Sequence, residues 1–185
     1  MAHIQIIEPE QAAGRLKEIY ENLRESRGKV AEIHKIQGLN PESIVNHMDL
    51  YMTVMFGRSP LKRVQREMMA VVVSAANGCE YCREHHCEAV NHYWKDIKKT
   101  GQLKTDYKKL ELNETDRLLC DFAWDLTKRP EAAEEELFIK PLKEAGLSDR
   151  AILDATLVVS YFNFVNRIVL GLGVQLENEP GGYKY

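Results

Sequence analysis

Four cysteines in a chain of 185 residues are too few to build a disulfide scaffold. The formal charge is only −3, and lysines and arginines are dispersed rather than gathered into a stripe. That removes the electrostatic footprint expected of a nucleic-acid-binding or membrane-surface protein. No stretch shows a convincing two-residue alternation of apolar and polar side chains, so strands are not expected. The longest apolar run, Ala155 to Val174, is broken by Asn163, Asn166 and Arg167. Burying that arginine in lipid would cost about 2.5–3.5 kcal/mol, so the run reads as a core helix of a soluble protein. Met1 to Glu10 show neither the basic start nor the apolar core of a secretion signal, and a cytoplasmic location is the expectation. What is present is 44% hydrophobic residues, enough for one substantial core. A small molecule or a protein is the partner to look for, with no nucleic acid and no membrane.

The pattern along the chain is helical throughout. Ala12, Leu16, Ile19, Tyr20 and Leu23 recur among charges between Glu8 and Arg27, as on a helix packed on one side. Asn40-Pro41 and Ser59-Pro60 each read as a cap followed by proline at the first helical position. The second and third helices therefore begin there. Met68 to Ala76 reads as a buried helix stopped by Asn77-Gly78, because glycine tolerates the left-handed conformation that closes a helix. A further helix runs from Cys79 to Trp94, and Lys98 to Gly101 opens a polar connection. Asn113 starts a helix over Arg117 to Leu126 that stops at Lys128-Arg129-Pro130, and Glu131 to Glu144 forms a short one. Ser148 caps the last long helix, which Glu179-Pro180-Gly181-Gly182 ends. Residues 1–178 form a single all-α domain and 179–185 a tail. Val72-Val73-Ser74-Ala75-Ala76-Asn77 recurs 86 positions later as Val158-Val159-Ser160-Tyr161-Phe162-Asn163, which raises the question of two related helical halves.

The chemistry sits in Gly78-Cys79-Glu80-Tyr81-Cys82-Arg83-Glu84-His85-His86. Cys79 falls at a helix start, where unpaired N–H groups and the positive end of the macrodipole favour a thiolate. Cys79, Cys82 and His86 share one helix face. Residues three apart on a helix have Cα atoms roughly 5 Å from each other, inside the window in which a disulfide closes. Glu67 lies twelve positions before Cys79, and a hairpin about Gly78 would bring it level with His86. A carboxylate there fixes the imidazole tautomer and raises its basicity, completing a nucleophile, base and orienter.

Written as Glu67-x11-Cys79-x2-Cys82-x3-His86, these residues resemble the signature of the alkylhydroperoxidase D-like branch of the carboxymuconolactone decarboxylase family. Ser59-Pro60-Leu61, Val73 to Cys82, Gly146-Leu147-Ser148 and Asn163 to Arg167 resemble its peroxidase-related members, and the likeness reaches from the first helix to about residue 175. The resemblance implies an alkylhydroperoxidase D-like helical bundle, homo-oligomeric as dimer, trimer or hexamer, acting on a hydroperoxide without a metal or organic cofactor. It implies Cys82 as the peroxidatic cysteine, Cys79 as resolving cysteine and proton donor, and His86 with Glu67 as proton relay. An external dithiol, a lipoyl protein or a thioredoxin-like one, would reset the pair. One position departs: the pattern has a histidine before the second cysteine, whereas this chain has Tyr81, a poor base because a phenol titrates near ~10.

Blander readings stand beside these. Cys79, Cys82, His86 and either His85 or His92 could supply zinc ligands in a non-catalytic oligomer, although a closed zinc site usually draws its second pair from another segment. Glu67 and His86 alone could serve a decarboxylase-like acid–base enzyme, which gives no reason for two cysteines. Glu67 beside Arg63 and Arg66 could be a solvated ion-pair partner. His85 and His92 lie off the cysteine stripe, Cys87 and Cys120 suit a core, and Tyr161, Phe162, Phe164 and Val165 suit packing. Asn163, Asn166 and Arg167 are polar where the pattern wants apolar residues, which points to a site or an interface.

Overall fold

The structure, a computed structural model, describes residues 2–132, 134–177 and 182, and among them it is all α-helical without a strand. The helices are α1 (Gly14–Arg27), α2 (Glu32–Lys35), α3 (Pro41–Tyr51), α4 (Arg63–Ala76), α5 (Glu80–Trp94), α6 (Ile97–Asp106), α7 (Glu114–Lys128), α8 (Lys140–Glu144) and α9 (Asp149–Leu172). The all-α architecture expected from the sequence is thus present among the described residues. Its axis is α4, whose residues Met68 to Val73 are all within 1% of complete burial, so the helix is apolar on every side over two turns. It packs against α5, α7 and α9. A smaller core of Leu16, Ile19, Tyr20, Leu23 and Ile44 holds α1 on α3.

The turn that matters most joins α4 to α5. Asn77 closes α4, Gly78 takes φ +68° and Cys79 caps α5 in extended conformation. The Cys79 N–H donates to the Ser74 carbonyl at 2.8 Å, using a carbonyl that the end of α4 leaves free. The two helices therefore fold back on each other as a hairpin.

Several boundaries differ from the sequence reading, each for a local reason. The first helix begins at Gly14 rather than Glu8, after a separate 3₁₀ turn at Pro9–Gln11. The third begins at Arg63 rather than after Ser59, since the Ser59 hydroxyl donates to Asp154 and the Lys62 N–H is taken by the Gln65 side chain. Lys98 to Gly101 lie inside α6 instead of a polar connection: Asp96 caps it, accepting from the Lys99 N–H at 2.9 Å, and Thr100 and Leu103 are buried on the bundle. The Glu131 to Glu144 stretch divides into a 3₁₀ turn at Pro130–Ala132, a π-helical turn at Glu135–Ile139 and α8. The last helix ends at Leu172 with Gly173 at φ +66°, earlier than the expected stop, whose residues Glu179, Pro180 and Gly181 lie outside the described residues with most of the 179–185 tail. A short helix that the periodicity does not reveal, α2, carries Ile33 and His34 inward.

α9 passes the length and hydropathy test for a membrane span, yet Ala155, Val158, Phe162 and Asn166 on it are buried in the bundle. The two copies of the repeated text lie on α4 and α9, which pack together, with Asn77 donating to Asn163 at 3.0 Å. The likeness is local, because Asn77 ends a helix and Asn163 lies in the middle of one.

The caps give a direct test. Asp96→Ala should lower stability by about 1 kcal/mol, whereas Asn40→Ala should change it by only a few tenths, because the Asn40 side chain caps nothing. Urea unfolding midpoints of the two variants measure the difference.

Candidate active site

The hairpin places Glu67 of α4 against His86 of α5, Oε2 to Nδ1 at 2.6 Å. Arg63, one turn before Glu67, donates from Nε to the other carboxylate oxygen at 2.7 Å. Glu67 is 1% exposed, so it is not a solvated ion-pair partner, although it does pair with Arg63. Burial alone would push its carboxyl up, but His86 and Arg63 outweigh that and hold it below the usual carboxylate range. An ionised carboxylate only accepts hydrogen bonds, so His86 Nδ1 carries the proton and Nε2 is left as a free base. The His86 ring also stands edge-on to Phe162, centroids 4.5 Å apart. That packing fixes its plane.

Cys79 and Cys82 are both reduced and buried, but their surroundings differ. Cys82 stands on the wall of a cavity of about 80 Å³ together with His86, His34, Tyr51, Tyr161 and Phe162. Cys79 lies behind it and takes no part in the wall. The Cys82 side chain and amide, with Arg83, favour the Cys79 thiolate and hold its pKa down despite burial. Cys82 is pushed up, first by burial and then by its neighbour Cys79, while the Asn166 side chain opposes the rise. Of the two, Cys79 is the thiol whose surroundings favour ionisation and Cys82 the one whose surroundings oppose it.

The cavity is neutral and ring-lined. Burial drives His34 down to about 3 and His47 down to about 4. Gln37 donates to His47 Nδ1 at 2.8 Å, so the neutral ring donates from Nε2 to the Tyr161 hydroxyl at 2.6 Å. Tyr161 and Phe162 therefore line the site as well as packing the core.

A second carboxylate–histidine pair, one the sequence reading set aside, stands beside the first. His85 Nε2 donates to Glu177 at 2.8 Å, and Glu177 is held down to about 2 against the opposing effect of burial, chiefly by His85. Tyr81 donates to the same carboxylate at 3.3 Å and accepts from the Ile33 N–H at 3.4 Å. Tyr81 and His85 both line the cavity. The available signal was spacing, since Cys82, His85, His86 and Ala89 make one helical stripe, but the partner Glu177 is 92 residues away. The remaining candidates fall where a core or surface would put them: Cys87 and Cys120 are buried with their thiols pushed up by desolvation, and His92 meets Tyr93 edge-on. Among the described residues no three His, Cys, Asp or Glu side chains are grouped to hold a metal ion.

Comparison with known proteins points one way. The carboxymuconolactone decarboxylase family matches residues 45–93, the segment that carries Glu67, both cysteines and His86. A peroxidase-related protein of Silicibacter sp. TM1040 is 29% identical over 98% of this chain and 94% of its own, with a TM-score of 0.86. Another, the alkylhydroperoxidase AhpD core protein of Ralstonia eutropha JMP134, is 21% identical over 96% of this chain and 93% of its own, at 0.85. The debrominase Bmp8 in complex with 2,3,4-tribromopyrrole shares the fold at a TM-score of 0.78 and 18% identity, covering 96% of this chain and 95% of that one. Curated proteins give no match. The signature residues thus lie inside the segment that matches the carboxymuconolactone decarboxylase family, and the whole chain is similar in fold to a peroxidase-related protein.

Proposed function

We propose that the protein is a thiol-dependent hydroperoxide reductase in which Cys82 attacks the peroxide, Cys79 resolves it, and Glu67 and His86 move the protons. The observation that carries this reading is the placement of Cys82 alone of the pair on the cavity wall, beside a histidine whose Nε2 is free because Glu67 holds Nδ1. In the starting state both cysteines are thiols and His86 is neutral, its Nδ1–H held by Glu67. The free Nε2 takes the Cys82 proton as the Cys82 sulfur attacks the terminal peroxide oxygen. The S–O bond forms, the O–O bond breaks, and the departing alkoxide takes the His86 proton to leave as an alcohol, or as water from hydrogen peroxide. Cys82 is then a sulfenic acid. His86 next removes the Cys79 proton, the Cys79 sulfur attacks Cys82, and the displaced hydroxide collects that proton as water. Two thiols and one hydroperoxide give a disulfide, an alcohol and water. An external dithiol, lipoyl or thioredoxin-like, restores the pair, in keeping with a reducing compartment such as the cytoplasm and with the oligomeric state implied by the family.

A second reading comes from the debrominase neighbour and the ring-lined wall. The same dithiol could reduce a halogenated ring, giving the ring hydride, halide and a disulfide. Cavity size favours the peroxide. A cavity of about 150 Å³ holds a benzene ring, and this one is about 80 Å³, which suits hydrogen peroxide or a short-chain organic hydroperoxide. A decarboxylase-like reaction would use Glu67 and His86 but leave the cysteine pair without a role.

The first test is a free-thiol titration. One equivalent of hydroperoxide should remove two thiols, and peptide mapping should find Cys79 joined to Cys82. A bridge to Cys120, or bromide release from a bromopyrrole without peroxide consumption, would sink the assignment. Cys82→Ser should abolish turnover, whereas Cys79→Ser should turn over once and stop at a trappable sulfenic acid on Cys82.

The relay gives a second test. His86→Ala and Glu67→Gln should each slow peroxide reduction by about 10²–10⁴, and the double variant should lose little more than the slower single one, since groups acting as a unit are not additive. If Glu67→Gln lowers the melting temperature but leaves turnover intact, Glu67 is structural only.

A further inference from the structure

His34 on α2 is 7% exposed, and among the described residues nothing meets its Nδ1. A buried polar nitrogen without a partner costs stability, so one that persists in a folded protein calls for a partner from elsewhere. The surroundings of the ring say where that partner sits. His34 stands on the wall of the cavity of about 80 Å³ that Cys82 and His86 share, with the His47 ring edge-on to it at 5.7 Å between centroids. His47, Tyr161, Tyr81 and His85 on the same wall are bonded within the protein, His47 with Gln37 and Tyr161, and Tyr81 and His85 with Glu177. The His34 Nδ1 is bonded to none of them. Burial, with His47 and Arg27 nearby, keeps the ring uncharged. A neutral imidazole nitrogen donates or accepts according to tautomer, and a hydroperoxide group offers an O–H as well as acceptor oxygens, so the two can pair in either sense.

We propose that His34 binds the hydroperoxide group, its Nδ1 forming a hydrogen bond to the peroxide that holds it in the cavity while Cys82 attacks. The proposal rests on the protein being a hydroperoxide reductase that reacts through Cys82. A substrate as small as hydrogen peroxide buries little apolar surface, so burial alone holds it weakly, and attack in line with the O–O bond needs the group held in one orientation. Cys82 and His86 carry out the bond making and proton transfer. His34 supplies a fixed third point on the same wall. An occupant without a donor or acceptor would leave Nδ1 buried and unpaired, which selects for a polar molecule in a cavity otherwise lined by rings.

The test compares the native protein with His34→Phe, which keeps a ring and loses both nitrogens, and with His34→Asn, which puts an amide close to the place of Nδ1. Single-turnover oxidation by hydrogen peroxide is followed by rapid mixing and thiol titration. His34→Phe should slow it roughly two- to tenfold, the size of one hydrogen bond between neutral groups, and His34→Asn should recover most of the loss. His34→Leu, smaller and equally without nitrogen, replaces the phenylalanine variant should that one not fold. Iodoacetamide alkylation, read at the Cys82 peptide by mass spectrometry, needs the nucleophile but no peroxide site and should run at the native rate in all variants. The melting temperature of His34→Phe should not fall, because Nδ1 has no protein bond to lose. Oxidation of His34→Phe at the native rate, a parallel fall in alkylation, or an asparagine variant no faster than the phenylalanine one overturns the proposal. A native protein that consumes no hydroperoxide removes the proposed function and this inference with it, whereas a native-rate His34→Phe variant removes this inference alone.

Discussion

The buried carboxylate of Glu67 is the constraint on which the site depends. An ionised group that is 1% exposed is stable only where its charge is met, and here Arg63 meets it from the same helix and His86 from the next. The Arg63 pair is local and would form in any α4. The His86 pair forms only when α5 folds back along α4 at one register, so the need to satisfy the carboxylate and the need to align the hairpin are one requirement. Once that register is set, Cys82 at one turn before His86 has its position on the cavity wall fixed as well.

Two cysteines of identical chemistry are separated by where the helix begins. Cys79 occupies the cap, where the Cys82 side chain and amide and Arg83 favour its ionised form; Cys82 is a turn inside, where burial and Cys79 disfavour it. The difference between the two thiols thus comes from their place at the start of the helix and not from their own chemistry.

The all-α class, the central apolar helix, the Gly78 turn and the grouping of Glu67, Cys79, Cys82 and His86 were all legible in the sequence, because each depends on spacing within one hairpin. The errors fall where side chains from distant segments decide. Ser59 looks like a cap until Asp154 claims its hydroxyl, and Lys98 to Gly101 look like a loop because the burial of Thr100 and Leu103 against α4 and α5 is invisible in a polar text. His85 looks idle because Glu177 is brought to it by the segment that follows α9. Asn163 and Asn166 could be flagged as departures from an apolar pattern, but what they bind could not be read.

Position 81 shows how a titrating group can be lost while the geometry is kept. Where the family pattern has histidine, the Tyr81 phenol bridges the Ile33 N–H at the start of α2 and the Glu177 carboxylate. It ties two walls of the cavity together and contributes no base near neutral pH. The basic nitrogen on that side belongs instead to His85, whose Nε2 is committed to Glu177. The imidazole beside Cys82 whose other nitrogen stays uncommitted is that of His86, held through Nδ1 by a buried carboxylate, and the arrangement of the cavity returns to the same Glu67 that aligns the hairpin.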